Sequence, residues 1–170
     1  MAVRRIVMVG EPVLKQRAKK VHRFDDPVQH LIDDLVDTVH AANGAGLAAP
    51  QIGVSLRAIV TLVDEKLNVV VNPEIVEESE EEIEADEGCL SLPGWYGPVR
   101  RKEKVTVRGQ NRKGKPIKIR AEGWEARAFQ HEVDHLNGIL FTERMDDRSK
   151  LHQVTSEEEE DVLEDEQVFA

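Results

Sequence analysis

The chain predicts an α+β fold: antiparallel β-sheets packed around a central buried helix carrying an HExxH string. Three observations lead there. Lys104–Arg108 and Lys115–Arg120 alternate in polarity on either side of Asn111-Arg112-Lys113-Gly114, the pattern of a β-hairpin. Trp124–Asn137 is apolar over most of a helical circumference, as a helix enclosed by its neighbours must be. With 170 residues, 40% of them hydrophobic, the chain can build one real core but not two ordinary domains.

Glu11–Ala18 reads as a turn or short helix with Pro12 at its start. An amphipathic helix begins at Asp25 or Asp26, with Pro27 just inside. Val28, Leu31, Ile32, Leu35, Val36 and Val39 form its stripe, with Asp33, Asp34 and Asp37 outside it, and Asn43-Gly44 ends it. His30 and His40 fall near the polar edge and are expected to be solvated. Residues 44–53, GAGLAAPQIG, make a poor helix and a poor strand, and side chains this small let another backbone come close.

Arg57–Val63 and Leu67–Asn72 are β-branched runs flanking Asp64-Glu65-Lys66, a hairpin that Pro73 is expected to end; residues 74–83 continue as exposed strand. Residues 85–94, ADEGCLSLPG, read as a strand end or loop. Residues 93–98 read as a loop, in which Trp95 and Tyr96 either pack on the surface or wall a groove.

The net charge of −10 is unevenly placed: Glu157–Glu166 carries eight acids and no base, leaving about −2 for everything else. We expect a catalytic domain over 1–148 and an acidic tail over 149–170. A nearly balanced body excludes a general nucleic-acid binder. No apolar run approaches the ~20 residues of a membrane span, and the apolar run at the start is too short for a secretory signal. The default location is cytoplasmic. One cysteine, Cys89, excludes an intramolecular disulfide.

The chemistry centres on Gln130–Gly138, QHEVDHLNG. On a helix, His131 and His135 lie on one face with Cβ atoms roughly 5–6 Å apart, which suits two ligands of one divalent ion. Glu132 projects beside them as a candidate base. Trp124, Ala128, His131, Glu132 and His135 share a face. Phe129, Val133 and Leu136, extended by Ala126, share a second, and Arg127, Gln130, Asp134 and Asn137 are left as a polar stripe. The histidines therefore face the interior, where they need partners.

Three stretches, GAGLAAPQ at 44–51, EGCLS at 87–91 and QHEVDHLNG at 130–138, together resemble the peptide deformylase family. PVLKQRAKKV at 12–21 is similar to the family's N-terminal segment, and the likeness covers about residues 1–145. It implies that Cys89 joins His131 and His135 as third ligand of one divalent ion, natively Fe(II), with Zn(II), Ni(II) or Co(II) able to take its place. It implies hydrolysis of the formyl group on the initiator methionine of new polypeptides, releasing formate. Glu132 would be the base, and the Gln51 side-chain amide and Leu90 backbone N–H would meet the oxyanion. The N-formylmethionyl peptide would add as a strand along Ala45, Gly46 and Gly88, with its methionine near Ala128 and Glu87 paired to Arg101. Transient proximity to the ribosome is compatible with this substrate. Docking through the acidic tail is not, because rRNA phosphates repel it.

Two rivals remain. In an HExxH zinc peptidase a downstream glutamate, among Glu157–Glu160, would be the third ligand and Cys89 a spectator. A non-catalytic metal-binding protein would leave Gln51 and Glu132 without purpose.

Overall fold

The structure, a computed structural model, describes residues 2–154 and 168–169. Helix α1 is Asp26–Ala41; the Asp25 carboxylate accepts from the Val28 N–H and Pro27 stands in the first turn. Helix α2 is Gly123–Leu136, and a short α3 spans Phe141–Arg144. Gly138, at φ 74°, lies just past α2, where a Cβ would come 2.6 Å from the Lys15 carbonyl oxygen. Only glycine fits this stop.

The strands are β1 (Gly46–Ala48), β2 (Ala58–Val63), β3 (Lys66–Glu78), β4 (Glu82–Cys89), β5 (Leu92–Lys102), β6 (Lys104–Gln110), β7 (Pro116–Glu122), β8 (His152–Gln153) and β9 (Val168–Phe169). They form a five-stranded sheet, β1-β2-β3-β6-β7, and a four-stranded sheet, β8-β5-β4-β9. Within the two sheets every described strand pairing is antiparallel except β4 with β9.

The alternation along β2 shows how the layers stack. Ala58 and Val60 join a core with Leu31, Ile32, Leu35 and Val39 of α1, whereas Ile59 joins Ala126, Phe129, Val133 and Leu136 of α2. The two helices thus cover opposite faces of the larger sheet. The other side of α2 meets the smaller sheet: Gln130 bonds both the N–H and the carbonyl of Lys102, each at 2.9 Å. This corrects the expected polar stripe. Arg127, Gln130 and Asp134 are buried between α2 and β4–β5, because the second sheet supplies partners that solvent would otherwise provide.

Three further expectations change. Pro73 does not end its strand: the register shifts between Val71 and Glu74, with Asn72 at φ 52°, so the proline sits in a bulge where its missing N–H is not needed. Residues 93–98 are strand, inside β5; β8 meets β5 only at Trp95 and Tyr96, leaving open edge that a proline can face. Asp34 is buried, accepting from the Ala2 N–H and the Arg4 guanidinium. His30 and His40 are exposed, as expected. The acidic run 157–166 lies outside the described residues.

Candidate metal centre and active site

β4 delivers Cys89 at its end, and α2 delivers His131 and His135 on successive turns. Cys89 Sγ is 3.3 Å from His135 Nε2, and the two Nε2 atoms are 3.2 Å apart. All three donor atoms lie within 4.8 Å of one another in a buried cluster. The residues between Cys89 and His131 build β5, which pairs with β4, and then the β6–β7 hairpin of the larger sheet, after which α2 returns to the smaller sheet.

Two of the three donors, on His131 and Cys89, have hydrogen bonds that orient them. His131 Nδ1 is hydrogen-bonded to Glu87 Oε1, which turns Nε2 toward the thiol. Glu87 is held by Arg101, at 2.7 and 3.1 Å, and by Arg127 Nη1 at 2.8 Å. Arg101 also reaches Asp134 at 2.7 Å, and Arg144 grips both oxygens of Asp134. The Ser91 N–H points at the sulfur from 3.4 Å. Burial alone would push Glu87 up, but Arg101 and then His131 more than reverse this and hold it below the usual carboxylate range.

Gln51 sits in a 3₁₀ turn, Ala49–Ile52, directly after β1. Its Oε1 accepts from the Ala48 N–H at 3.0 Å, so its Nε2 faces the centre, 3.1 Å from Ser91 Oγ and 3.6 Å from Cys89 Sγ. Glu132 is buried with Oε2 unpartnered among the described residues. Its other oxygen lies against Gly46, whose added Cβ would be 2.8 Å from it. Burial, the largest influence on Glu132, raises it to about 7 against the opposing pull of His131.

The donor set fits a divalent cation. A lone carboxylate oxygen in the interior is costly without a positive or hydrogen-bonding neighbour. The same surroundings draw positive charge to the ligands: burial opposes it, but bonds to Cys89 and Glu87 and the charges of Glu87 and Glu132 carry His131 well above the ordinary imidazole value. His135, buried beside His131 and Arg101, is held well below. A site that collects a proton between a thiol and two imidazoles also suits an ion that displaces that proton.

A family model for polypeptide deformylase matches residues 3–151. The chain belongs to the polypeptide deformylase family. It is 56% identical over 146 residues to a peptide deformylase of Carboxydothermus hydrogenoformans, covering 86% of this chain and 95% of that one. Among solved structures, a peptide deformylase from Legionella pneumophila superposes with a TM-score of 0.83 at 47% identity, covering 87% of this chain and 90% of that one. One from Synechococcus elongatus, in complex with actinonin, gives 0.82 at 40%, covering 85% and 80%. Deformylases remove the N-terminal formyl group from nascent polypeptides with a single divalent metal ion.

In this deformylase the expected site residues converge unevenly. Cys89, His131, His135 and Gln51 meet at one point, and Glu132 follows His131 on α2. Leu90 lies in the turn after Cys89, with its side chain so close to Gly44 that a Cβ there would be 2.7 Å from Leu90 Cδ1. Gly46 is on β1, at the edge of the larger sheet; the Ala45 carbonyl accepts from the Leu62 N–H. Gly88 lies under Tyr96, whose ring would be 2.6 Å from an added Cβ, so Tyr96 packs on the strand that carries Cys89. Ala128 is fully buried, and an apolar cavity of about 260 Å³ opens one turn earlier, at Ile83, Trp124 and Arg127. Sequence reasoning missed Arg127, Asp134 and Arg144 as supports of the centre. Glu157–Glu160, the peptidase ligands, lie outside the described residues. No helix among the described residues is long and apolar enough to cross a membrane.

Proposed function

We propose that this chain hydrolyses the formyl group of N-formylmethionyl nascent peptides in the cytoplasm, with natively Fe(II) held by Cys89, His131 and His135. Zn(II), Ni(II) and Co(II) suit the same ligands, since one thiolate and two imidazoles do not select among these ions. When bound, the ion polarises the formyl carbonyl and acidifies water. The reading rests on one observation above all: a thiol and two imidazoles converge beside a buried carboxylate and a pinned amide N–H.

Glu132 takes the water's proton as the formyl carbon is attacked, then gives it to the amine as the C–N bond breaks; formate and a free N terminus result. Gln51 Nε2 and the Leu90 N–H stabilise the developing oxyanion, each worth ~3–4 kcal/mol in comparable sites. Gln51 needs no reorganisation to do so, because Ala48 already fixes its amide. The peptide lies extended between β1 and β4, bonded to the backbone of Ala45, Gly46 and Gly88. Its methionine passes beside Ala128 into the cavity at Trp124. The nascent-chain substrate brings the enzyme near the ribosome, though the acidic run does not favour rRNA.

The deciding experiment is metal content and formate release from a formyl-methionyl peptide, using protein purified without oxygen, alongside Cys89→Ala. The expected outcome is stoichiometric metal and formate in the parent and loss of both in the variant. Full metal retention by Cys89→Ala would sink the reading in favour of a peptidase-type ligand set.

A further inference from the structure

β4 has two edges. β5 takes one of them from Glu82 to Cys89, so any further strand must use the other. That second edge is occupied by this chain's own C-terminal segment: Val168 pairs with Asp86 and Phe169 with Glu87, in parallel. The pairing ends one residue short of Gly88 and two short of Cys89. We infer that β9 is a built-in occupant of the strand-addition edge beside the metal centre, and that it competes with the downstream residues of an extended peptide for that edge.

Three independent considerations support it. An unpaired strand edge is a template for any extended segment in reach. The sequence after the acidic run, Gln167-Val168-Phe169, places a β-branched and an aromatic residue together, the types that favour strands. Reach is ample: thirteen residues lie between Val154 and Val168, up to ~45 Å extended. Crossing from β8 to the opposite edge of the same sheet takes three strand spacings, ~15 Å.

Direction explains why the occupant is not a substrate. β4 enters the centre with Cys89 leading, and β9 runs parallel to it, so β9 advances C-terminal end first. A formyl peptide must lie with its N terminus at the centre and run the opposite way along this edge. β9 therefore blocks without presenting a group to hydrolyse. Because it pairs at Asp86 and Glu87 and not at Gly88, it leaves room for the first residue of a peptide and excludes those that follow.

This inference rests on the reading that substrates add along Gly88. The test is the full chain carrying Val168→Pro and Phe169→Pro, which removes both N–H groups of β9 and leaves the centre untouched. Hydrogen exchange over residues 85–89, read without substrate, is expected to be at least tenfold faster in the variant. KM for a formyl-methionyl pentapeptide is expected to fall several-fold at unchanged kcat, with little change for formyl-Met-Ala. Equal exchange in the two proteins overturns the docking, and an unaltered pentapeptide KM overturns the competition. Absence of formate release by either protein would instead count against the active-site reading, while exchange still reports on β9.

Discussion

Arg127 and His131, one turn apart on α2, hold opposite oxygens of the same carboxylate: Arg127 Nη1 donates to Glu87 Oε2 at 2.8 Å, and His131 Nδ1 bonds Oε1. One side chain of β4 thereby ties two turns of the ligand helix to the strand that bears Cys89. Arg101 closes the fork from β5 and extends it through Asp134 to Arg144. The ligands come from two elements, and this buried network sets their separation.

Arg127→Met tests that bracing. Arg127 also donates to the carbonyls of Val99 at 3.0 Å and Ile83 at 2.6 Å, so its removal leaves two acceptors and part of a carboxylate unpaired. Each such buried group costs about 1–3 kcal/mol. Thermal unfolding should show the loss, and transfer of the metal to a chelator should be about 10–100 times more favourable, the usual effect of removing support from a ligating histidine. Arg127→Lys keeps the charge but not the fork, and should recover only part of both.

Glu87→Gln is expected to destabilise the protein at neutral pH by about 3–5 kcal/mol, because Arg127 remains buried without its carboxylate and Arg101 keeps only Asp134. The pH dependence has a definite sign. Glu87 is depressed in the folded chain, so its contribution is complete above the ordinary carboxylate value of ~4.3 and is lost as pH falls below it toward the folded value. A plot of Tm against pH from 7 to 3 should therefore fall more steeply for the parent than for Glu87→Gln. Parallel curves would mean that the carboxylate is not what the arginines stabilise.

Much of this is legible in the sequence. The alternation around Asn111–Gly114 marked β6 and β7, and the apolar girth of residues 124–136 marked a buried helix, because both signals are local and periodic. The Cys89–His131–His135 set was legible through motif likeness alone; nothing local connects a strand end to a helix some forty residues later. The ionic network was opaque for a physical reason. Arg127 and Asp134 look like any solvated stripe until a second sheet is laid over them, and tertiary pairing leaves no periodic trace. The Pro/Gly-rich run in β5 misled in the opposite direction, since open strand edges tolerate residues that central ladders do not.

Glu132→Gln should keep its metal and lose about 10²–10⁴ in kcat, the range for removing a positioned base. The base must be ionised to work, so kcat/KM rises with pH through its pKa. Burial lifts Glu132 to about 7 in the protein alone. A cation at the neighbouring ligands favours the carboxylate, so the ascending limb of the loaded enzyme should have its midpoint below 7. Undiminished turnover by Glu132→Gln would remove Glu132 from the mechanism.

Gly46→Ala separates positioning from ligation. Gly46 has no positive φ that demands glycine. What forbids a side chain is the base itself: a Cβ would lie 2.8, 2.9 and 3.0 Å from Glu132 Oε1, Cγ and Cδ. The carboxylate must shift to make room, since α2 is held between two sheets. Displacements of ~1 Å at a reacting group cost about 10²-fold, so kcat should fall by that order. Metal content and Tm should stay near the parent's values. Coupled loss of metal would show instead that the strain reaches His131 through the helix backbone.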